Sequence, residues 1–283
     1  MRFAIVATLC ISTAAFAETP ADQAKAFVTK QLELITKNDD KGFKATFSDD
    51  AVVLGYVPDQ AVKSQDIHVR EVVTSGSPHD VFKKIKLEKI VAAGGDANVL
   101  WLTAEIATTF DSYDEGAPAK KGRVQRMRLT EVLVPDGSSW KVVAGALTPI
   151  RTPAQSLDAT VSAMDGTTKP GPLAPLAASP SELIKKLSTD KNTFVLGTDK
   201  NERAVGPAAA KKLLGQWSKL KLEIDEKSVR EVSTKSHAFA QVNVAYAVSK
   251  PKKETVYHQM RALIIAMPNG SDWSVVGVHY VPE

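Results

Sequence analysis

Cysteine is nearly absent from this sequence. Its 283 residues hold one, Cys10, and that residue sits in the N-terminal apolar stretch. A mature chain without Cys10 has no disulfide, so its fold must be held by a buried core alone. Long apolar runs are missing as well. The longest, Phe3 to Ala15, is too short to span a bilayer. Charge of one sign is scarce: 36 Lys and Arg stand against 32 Asp and Glu. The Lys clusters, such as KKIKLEK at 83–89, alternate with apolar residues as on a solvated face. Nucleic-acid binding would want a denser basic stripe with interleaved aromatics. The five histidines (68, 79, 237, 258 and 279) form no i,i+4 pair and no His-Glu-x-x-His, which argues against a metal site. There is no Gly-rich phosphate loop and no Gly-x-Ser-x-Gly elbow, so no cofactor is implied.

What is present begins at the N-terminus. Arg2 precedes the short apolar run, Ala15-Phe16-Ala17 has the small-x-small form of a signal-peptidase site, and Glu18 and Pro20 follow at once. The pattern predicts a cleaved secretory signal over 1–17 and a periplasmic or secreted mature chain. About 266 residues then remain, a length that suits two domains.

The sequence writes its own ending twice. PDGSSWKVVAGALTP at 135–149 and PNGSDWSVVGVHYVP at 268–282 share seven of fifteen positions. VLG occurs at 53–55 and 195–197, KIKLE (84–88) answers KLKLE (219–223), and RMRLTEVLV (126–134) answers QMRALIIAM (259–267). A two-copy repeat of this length and constant order is a pair of tandem domains. The expected division is 18–150 and 151–283, with the Pro/Gly-rich stretch at about 165–180 read as an extended linker or surface loop.

Each copy changes period along its length. ADQAKAFVTKQLELITK (21–37) places Ala24, Phe27, Val28, Leu32 and Ile35 on one helical stripe, and 153–164 has the same spacing at Leu157, Val161 and Met164. Strand-like segments follow at 97–110, 123–134 and 139–150, then at 237–249, 255–267 and 272–281. Asp-Gly and Asn-Gly mark the turns joining the last two strands of each copy. The fold class is therefore α+β: N-terminal helices covering one face of a curved antiparallel meander, written twice.

This order, with VLGTDKNERAVG (195–206) before a helix and the closing Trp273 and His279, resembles the SnoaL-like branch of the nuclear transport factor 2-like superfamily. The resemblance covers both copies. The first keeps Gly55, Trp140 and Pro149 but lacks the Gly-Thr-Asp run and holds Ala146 where the second holds His279. It implies two cone-shaped domains with a pocket at the wide end of each. It also implies pairing through the sheets, so that one chain makes an intramolecular pseudo-dimer. Members range from isomerases, dehydratases and cyclases to ligand-binding and assembly modules.

Several residues are candidates for a pocket. On simple alternation His279 shares a face with Trp273, Val275 and Gly277. It serves either as a base and hydrogen-bond partner in a second-domain pocket, or as a buried histidine at the sheet's end. Trp101, Thr103 and Glu105 alternate on one face of the first domain. Phe239, Gln241 and Asn243 fall at matching positions of the second. Such a row suits a pocket wall, where Glu105 could carry a proton, and equally an exposed sheet or a domain–domain contact. Arg128 and Arg261 stand at equivalent positions, which points to an ion pair or a sheet-to-sheet contact. Asp199 and Glu202 either cap a helix starting near Pro207, the reading preferred, or hold their own loop together. The expected function is non-catalytic binding of a small apolar ligand or of a protein partner. The alternative is an isomerase, dehydratase or cyclase with His279 as base and Tyr257 or Asn243 polarising a carbonyl. A third option is a structural pair whose pockets have filled.

Overall fold

The computed structural model describes residues 18–57, 60–69, 80–113, 119–150, 170–197, 199–248 and 256–282. The expected signal peptide and the expected helix at 153–164 lie outside them. Thr19 opens the first helix, α1 (Pro20–Thr36). Its hydroxyl accepts from the Asp22 N–H at 3.2 Å while the Asp22 carboxylate accepts from the Thr19 N–H, so two end donors are satisfied reciprocally. Ala24, Phe27, Val28, Leu32 and Ile35 are buried along one stripe, as their spacing predicts. Gln31 is buried among them. The chain leaves the helix through Asn38, whose φ of 54° is the left-handed conformation that asparagine tolerates better than most residues.

After a short α2 (Asp40–Lys44) come β1 (Phe47–Val57), β2 (Gln60–Lys63), β3 (Asp80–Gly95), β4 (Leu100–Ser112), β5 (Lys120–Asp136) and β6 (Ser139–Pro149). The second half starts with a 3₁₀ turn, Ala174–Ala178, and α3 (Pro180–Lys186). It continues through β7 (Phe194–Leu196), β8 (Arg203–Val205), α4 (Pro207–Trp217), β9 (Leu222–Ile224), β10 (Arg230–Ser233), β11 (Ala238–Val248), β12 (Val256–Asn269) and β13 (Asp272–Pro282). The sheets run β2-β1-β6-β5-β4-β3 and β10-β11-β12-β13-β7-β8, with β9 added to β11. The expected meanders are antiparallel throughout. Each sheet is nevertheless mixed, because an N-terminal hairpin joins its last strand in parallel, β1 on β6 and β7 on β13. The architecture is α+β, two mixed sheets each preceded by helices. Gly137 and Gly270, at φ of 60° and 63°, make the hairpin turns that Asp-Gly and Asn-Gly predict. Among the described residues no helix is long and apolar enough to cross a membrane.

One irregularity recurs. In the last hairpin of the second half Ile265 opposes Gly277 but Ala266 opposes Val275, so Val276 is an extra residue. In the first half Val132 opposes Ala144 and Leu133 opposes Val142, leaving Val143 extra. Both copies of the Val-Val pair thus carry a β-bulge, which inverts the facing of every later residue in the strand.

Three cores result. In the first, α1 and α2 pack on Leu100, Leu102, Ala104, Ile106, Leu129 and Leu133. The second gathers Leu183, Leu213 and Leu214 against Val242, Val244, Ile264, Val278 and Tyr280. The third lies between the two sheets. It joins Leu54, Trp101, Val132, Ala144 and Ala146 of the first half to Phe194, Leu196, Phe239, Leu263 and Val281 of the second. Trp101 and Phe194 meet there with ring centroids 5.8 Å apart. Rings this deeply buried each contribute roughly 1.5–3 kcal/mol. The described part of the expected linker, from residue 170 onward, is not a solvated loop. Leu173, Ala174 and Ala177 are buried in the second core, and α3 starts at Pro180. Its proline and alanine content hid an apolar face.

Candidate functional site

Of the three readings of the strand rows, pocket wall, exposed sheet or domain–domain contact, the structure matches the last. Along β4, Leu100, Leu102 and Ala104 point to the helices, so Trp101, Thr103 and Glu105 point to the second half. Along β11, Phe239, Gln241 and Asn243 point back. Gln241 donates across the gap to the carbonyls of Val52 at 2.9 Å and Gly145 at 3.2 Å. Its own carbonyl accepts from Arg230, which also donates to Asp50 O at 2.8 Å and lies 5.0 Å over the Phe239 ring. Glu105 pairs with Arg203 of the second half at 2.9 Å and with Lys89 at 3.0 Å. Asn243 holds its neighbours by backbone, its N–H donating to Ser228 Oγ and its carbonyl accepting from Asp225.

His279 is in this layer too. Alternation placed it with Trp273 and Val275, but the bulge at Val276 intervenes. Those two residues pack with the second core, while His279 turns toward the first half. Its Nδ1 lies 2.9 Å from Thr130 Oγ1. The Thr130 hydroxyl donates to Thr103 Oγ1, and Thr103 donates to the Leu129 carbonyl. Each hydroxyl proton is therefore spent, and His279 must donate through Nδ1–H. Nε2 is the bare nitrogen and is buried without a hydrogen-bond partner among the described residues. Burial, with the Arg128 charge adding to it, holds the imidazole pKa down at about 3. It is neutral at any ordinary pH, and among the described residues no second titratable group is bonded to it.

Arg128 reaches from β5 into the 197–202 loop of the second half. It donates to the carbonyls of Gly197 at 3.2 Å, Asp199 at 2.9 Å and Lys200 at 2.8 Å. Burial lowers its pKa from the usual arginine value, and Glu105 opposes that shift. Arg261, its counterpart, is buried as well. The loop is closed from within by Glu202, whose Oε2 accepts from the Asp199 N–H at 3.1 Å. Asp199 and Glu202 therefore do not cap α4. That helix begins at Pro207, which has no N–H to cap, after Gly206 at a φ of 86°. Tyr257 lies in β12 opposite Ala247, and its side chain falls outside the described residues.

The residues behind this loop form a pocket that alternation had not suggested. It measures about 220 Å³ and lies at one end of the second core. Gly197, Glu202, Trp217, Leu222, Tyr246, Met260, Tyr280 and the exposed Leu220 surround it. Tyr280 is where the bulge puts the strand's inward residue, in place of His279. Its hydroxyl donates to Ala177 O at 2.9 Å, and its ring meets Trp217 edge-on at 5.4 Å. Burial, then the nearby Glu202 charge, raises the Tyr246 phenol above its usual pKa.

The first half holds a different feature at its helix-covered face. Glu131 sits between Leu129 and Leu133 on β5, at the position Ile264 occupies in the second half. Its Oε1 accepts from Gln31 Nε2 at 3.1 Å, and Oε2 has no hydrogen-bond partner among the described residues. Burial outweighs that one bond and lifts the carboxyl pKa to about 8, so the group is mostly protonated at neutral pH. Gln31 also donates to Thr46 Oγ1 at 3.2 Å. The adjoining cavity, lined by Gln31, Phe43, Phe47, Leu129 and Leu147, is about 20 Å³, room for a single water. The signal was legible: a glutamate on the apolar side of a strand whose neighbours at two-residue spacing are Met127, Leu129 and Leu133.

No family model and no curated protein matches this chain. Among solved structures it is similar to an NTF2-like protein from Cytophaga hutchinsonii, at 17% identity and a TM-score of 0.34, over 45% of this chain and 95% of that one. It is also similar to a ketosteroid isomerase-like protein from Erwinia carotovora, at 14% identity and a TM-score of 0.36, over 48% of this chain and 99% of that one. A third is an NTF2-like protein of unknown function in nutrient uptake from Rhodospirillum rubrum, at 17% identity and a TM-score of 0.35, over 46% of this chain and 100% of that one.

Proposed function

We propose that this is an exported, non-catalytic binding protein whose second half takes up a small, largely apolar ligand, with the first half as its scaffold. The observation that carries the reading is the pocket of about 220 Å³ walled by Trp217, Leu222, Tyr246, Met260 and Tyr280. Apolar and aromatic walls with few polar groups are the usual make-up of a small-molecule site, and this one, below the usual volume range, suits only a small ligand. Catalysis of an isomerase or dehydratase kind needs an acid or base convergent with a polarising donor. His279, the residue the enzyme reading relied on, is bonded to Thr130 instead. The pairing of the two sheets would stand in for homodimerisation, and residues 1–17 would direct the chain to the periplasm or medium.

Native against denaturing mass spectrometry on protein purified from its own compartment tests this. A small mass that is lost on denaturation, and that Trp217→Ala abolishes, is the expected result. A mass retained by the Trp217 variant would place the ligand elsewhere. A clean apo mass together with turnover of an added substrate would favour an enzyme.

A further inference from the structure

We infer that the ligand taken by the second-half pocket is a small organic cation, an alkylated or quaternary ammonium compound, held against Trp217, Tyr246 and Tyr280 with Glu202 as its counter-charge. The inference rests on the reading of this pocket as a ligand site and adds the chemistry of what fills it.

The first argument is the choice of aromatics. The chain has nine phenylalanines, four tryptophans and five tyrosines, yet among the described residues the pocket takes one tryptophan, two tyrosines and no phenylalanine. A site built only to exclude water would do as well with phenylalanine. Indole and phenol rings are the stronger partners for a cation lying on their faces. Met260 adds a polarizable thioether.

Charge gives the second. Among the described residues Glu202 is the one ionisable carboxylate in the lining, and no described Lys or Arg lines the pocket. Two nearby cations are committed elsewhere: Arg128 spends its guanidinium on the carbonyls of Gly197, Asp199 and Lys200, and Arg203 pairs with Glu105. Glu202 Oε2 accepts from Asp199, while Oε1 makes no hydrogen bond among the described residues. A neutral apolar ligand seated over that oxygen would strip water from a carboxylate and return nothing, which is costly. An anion would be repelled. A cation supplies the missing counter-charge. Burial is the larger cause that raises the Tyr246 phenol, but the Glu202 charge adds to it, and that charge favours a positive ligand beside it.

The test is calorimetric titration of the purified protein with choline and with 3,3-dimethylbutan-1-ol, which has the same shape with carbon in place of the charged nitrogen. Choline is expected to bind at least about tenfold more tightly. Glu202→Gln should remove most of that preference without weakening the alcohol, and Trp217→Ala should weaken both. Thermal unfolding of each variant confirms that it is folded. Equal binding of the two probes overturns the cation assignment and leaves the pocket as a site for neutral ligands. Binding of neither overturns the site itself, and the cation assignment with it. A choline preference that survives Glu202→Gln would also refute the assignment, since the charge would then lie elsewhere.

Discussion

His279 of the last strand donates its Nδ1–H to Thr130 Oγ1, a residue 149 positions earlier and on the opposite sheet, at 2.9 Å. The contact is made once. At the corresponding positions the first half supplies Ala146 and the second supplies Leu263, an apolar pair. The two halves share a topology, but the layer between them is asymmetric in its polar groups.

Removing one partner of that bond should cost more than removing both. His279→Ala leaves a cavity and strips Thr130 of its donor, and is expected to destabilise the protein by about 2–4 kcal/mol. His279→Leu combined with Thr130→Val makes both partners apolar, as they are at the symmetric position, and should recover much of the loss. Urea unfolding of the three proteins measures both. Ligand affinity in the Trp217 pocket should be unaffected by the double variant, because His279 faces the other way.

The pH dependence of stability follows from two fully buried groups with opposite signs. Glu131 has its pKa raised from 4.5 to about 8, so the folded state holds a proton that the unfolded chain has lost. Its contribution is intact below about 4.5 and is lost as pH climbs through 8. His279 is lowered from 6.5 to about 3, so the unfolded chain takes up a proton that the folded state refuses. Its contribution is intact above about 6.5 and is lost as pH falls toward 3. Between 4.5 and 6.5 the two slopes, each approaching ~1.4 kcal/mol per pH unit, cancel. His237, which burial also holds below its usual range, adds to the His279 slope, so chemical denaturation should show stability level or rising up to pH 6.5 and a decline from pH 6.5 to 8. Glu131→Gln should abolish that alkaline decline. A decline unchanged in the variant would refute the assignment.

Much of the fold could be read from the residues, and the site far less. The stripe of α1, six of the eight described strands longer than ten residues and the paired Asp-Gly and Asn-Gly turns follow from local pattern, whereas β1 and the Lys-rich β3 do not. Facing is a different matter. Alternation along β13 fails at Val276, because a bulge adds one residue and no single sequence marks where that occurs. Simple alternation therefore turns His279 toward the pocket, where the bulge puts Tyr280. In β4 and β11 the alternation held, but both faces of each strand are buried, one by helices and one by the other sheet. A row of Trp101, Thr103 and Glu105 is consistent with either. Only the tertiary pairing decides.

Arg128 should act on the pocket without touching it. Its three bonds to the carbonyls of Gly197, Asp199 and Lys200 fix the loop from which Gly197 and Glu202 line the cavity. A lysine has one ammonium where the guanidinium offers a planar fork, so Arg128→Lys is not conservative here. Hydrogen exchange should quicken at the amides of Gly197 and Glu202, which donate to Glu202 O and Asp199 O within the loop. Ligand affinity should fall by about tenfold as the rim loosens. Unchanged exchange would mean that the loop holds itself.

The Glu105–Arg203 pair offers the sharpest test of the asymmetry. By register Glu105 corresponds to Asn243 and Arg203 to Ala61, so the charge pair that joins the sheets on one side has no charged counterpart on the other. The Glu105 side chain is 11% exposed and that of Arg203 is 34% exposed. Water reaches the arginine, which limits the pair, and Lys89 also serves the carboxylate at 3.0 Å. A double-mutant cycle with Glu105→Gln and Arg203→Gln should give a coupling of about 1 kcal/mol that shrinks as salt is raised. Arg203→Gln alone should cost less than Glu105→Gln, because the glutamate keeps Lys89 whereas the arginine loses its only carboxylate partner among the described residues. A coupling near zero at low salt would show that the Trp101–Phe194 layer joins the halves without help from charge.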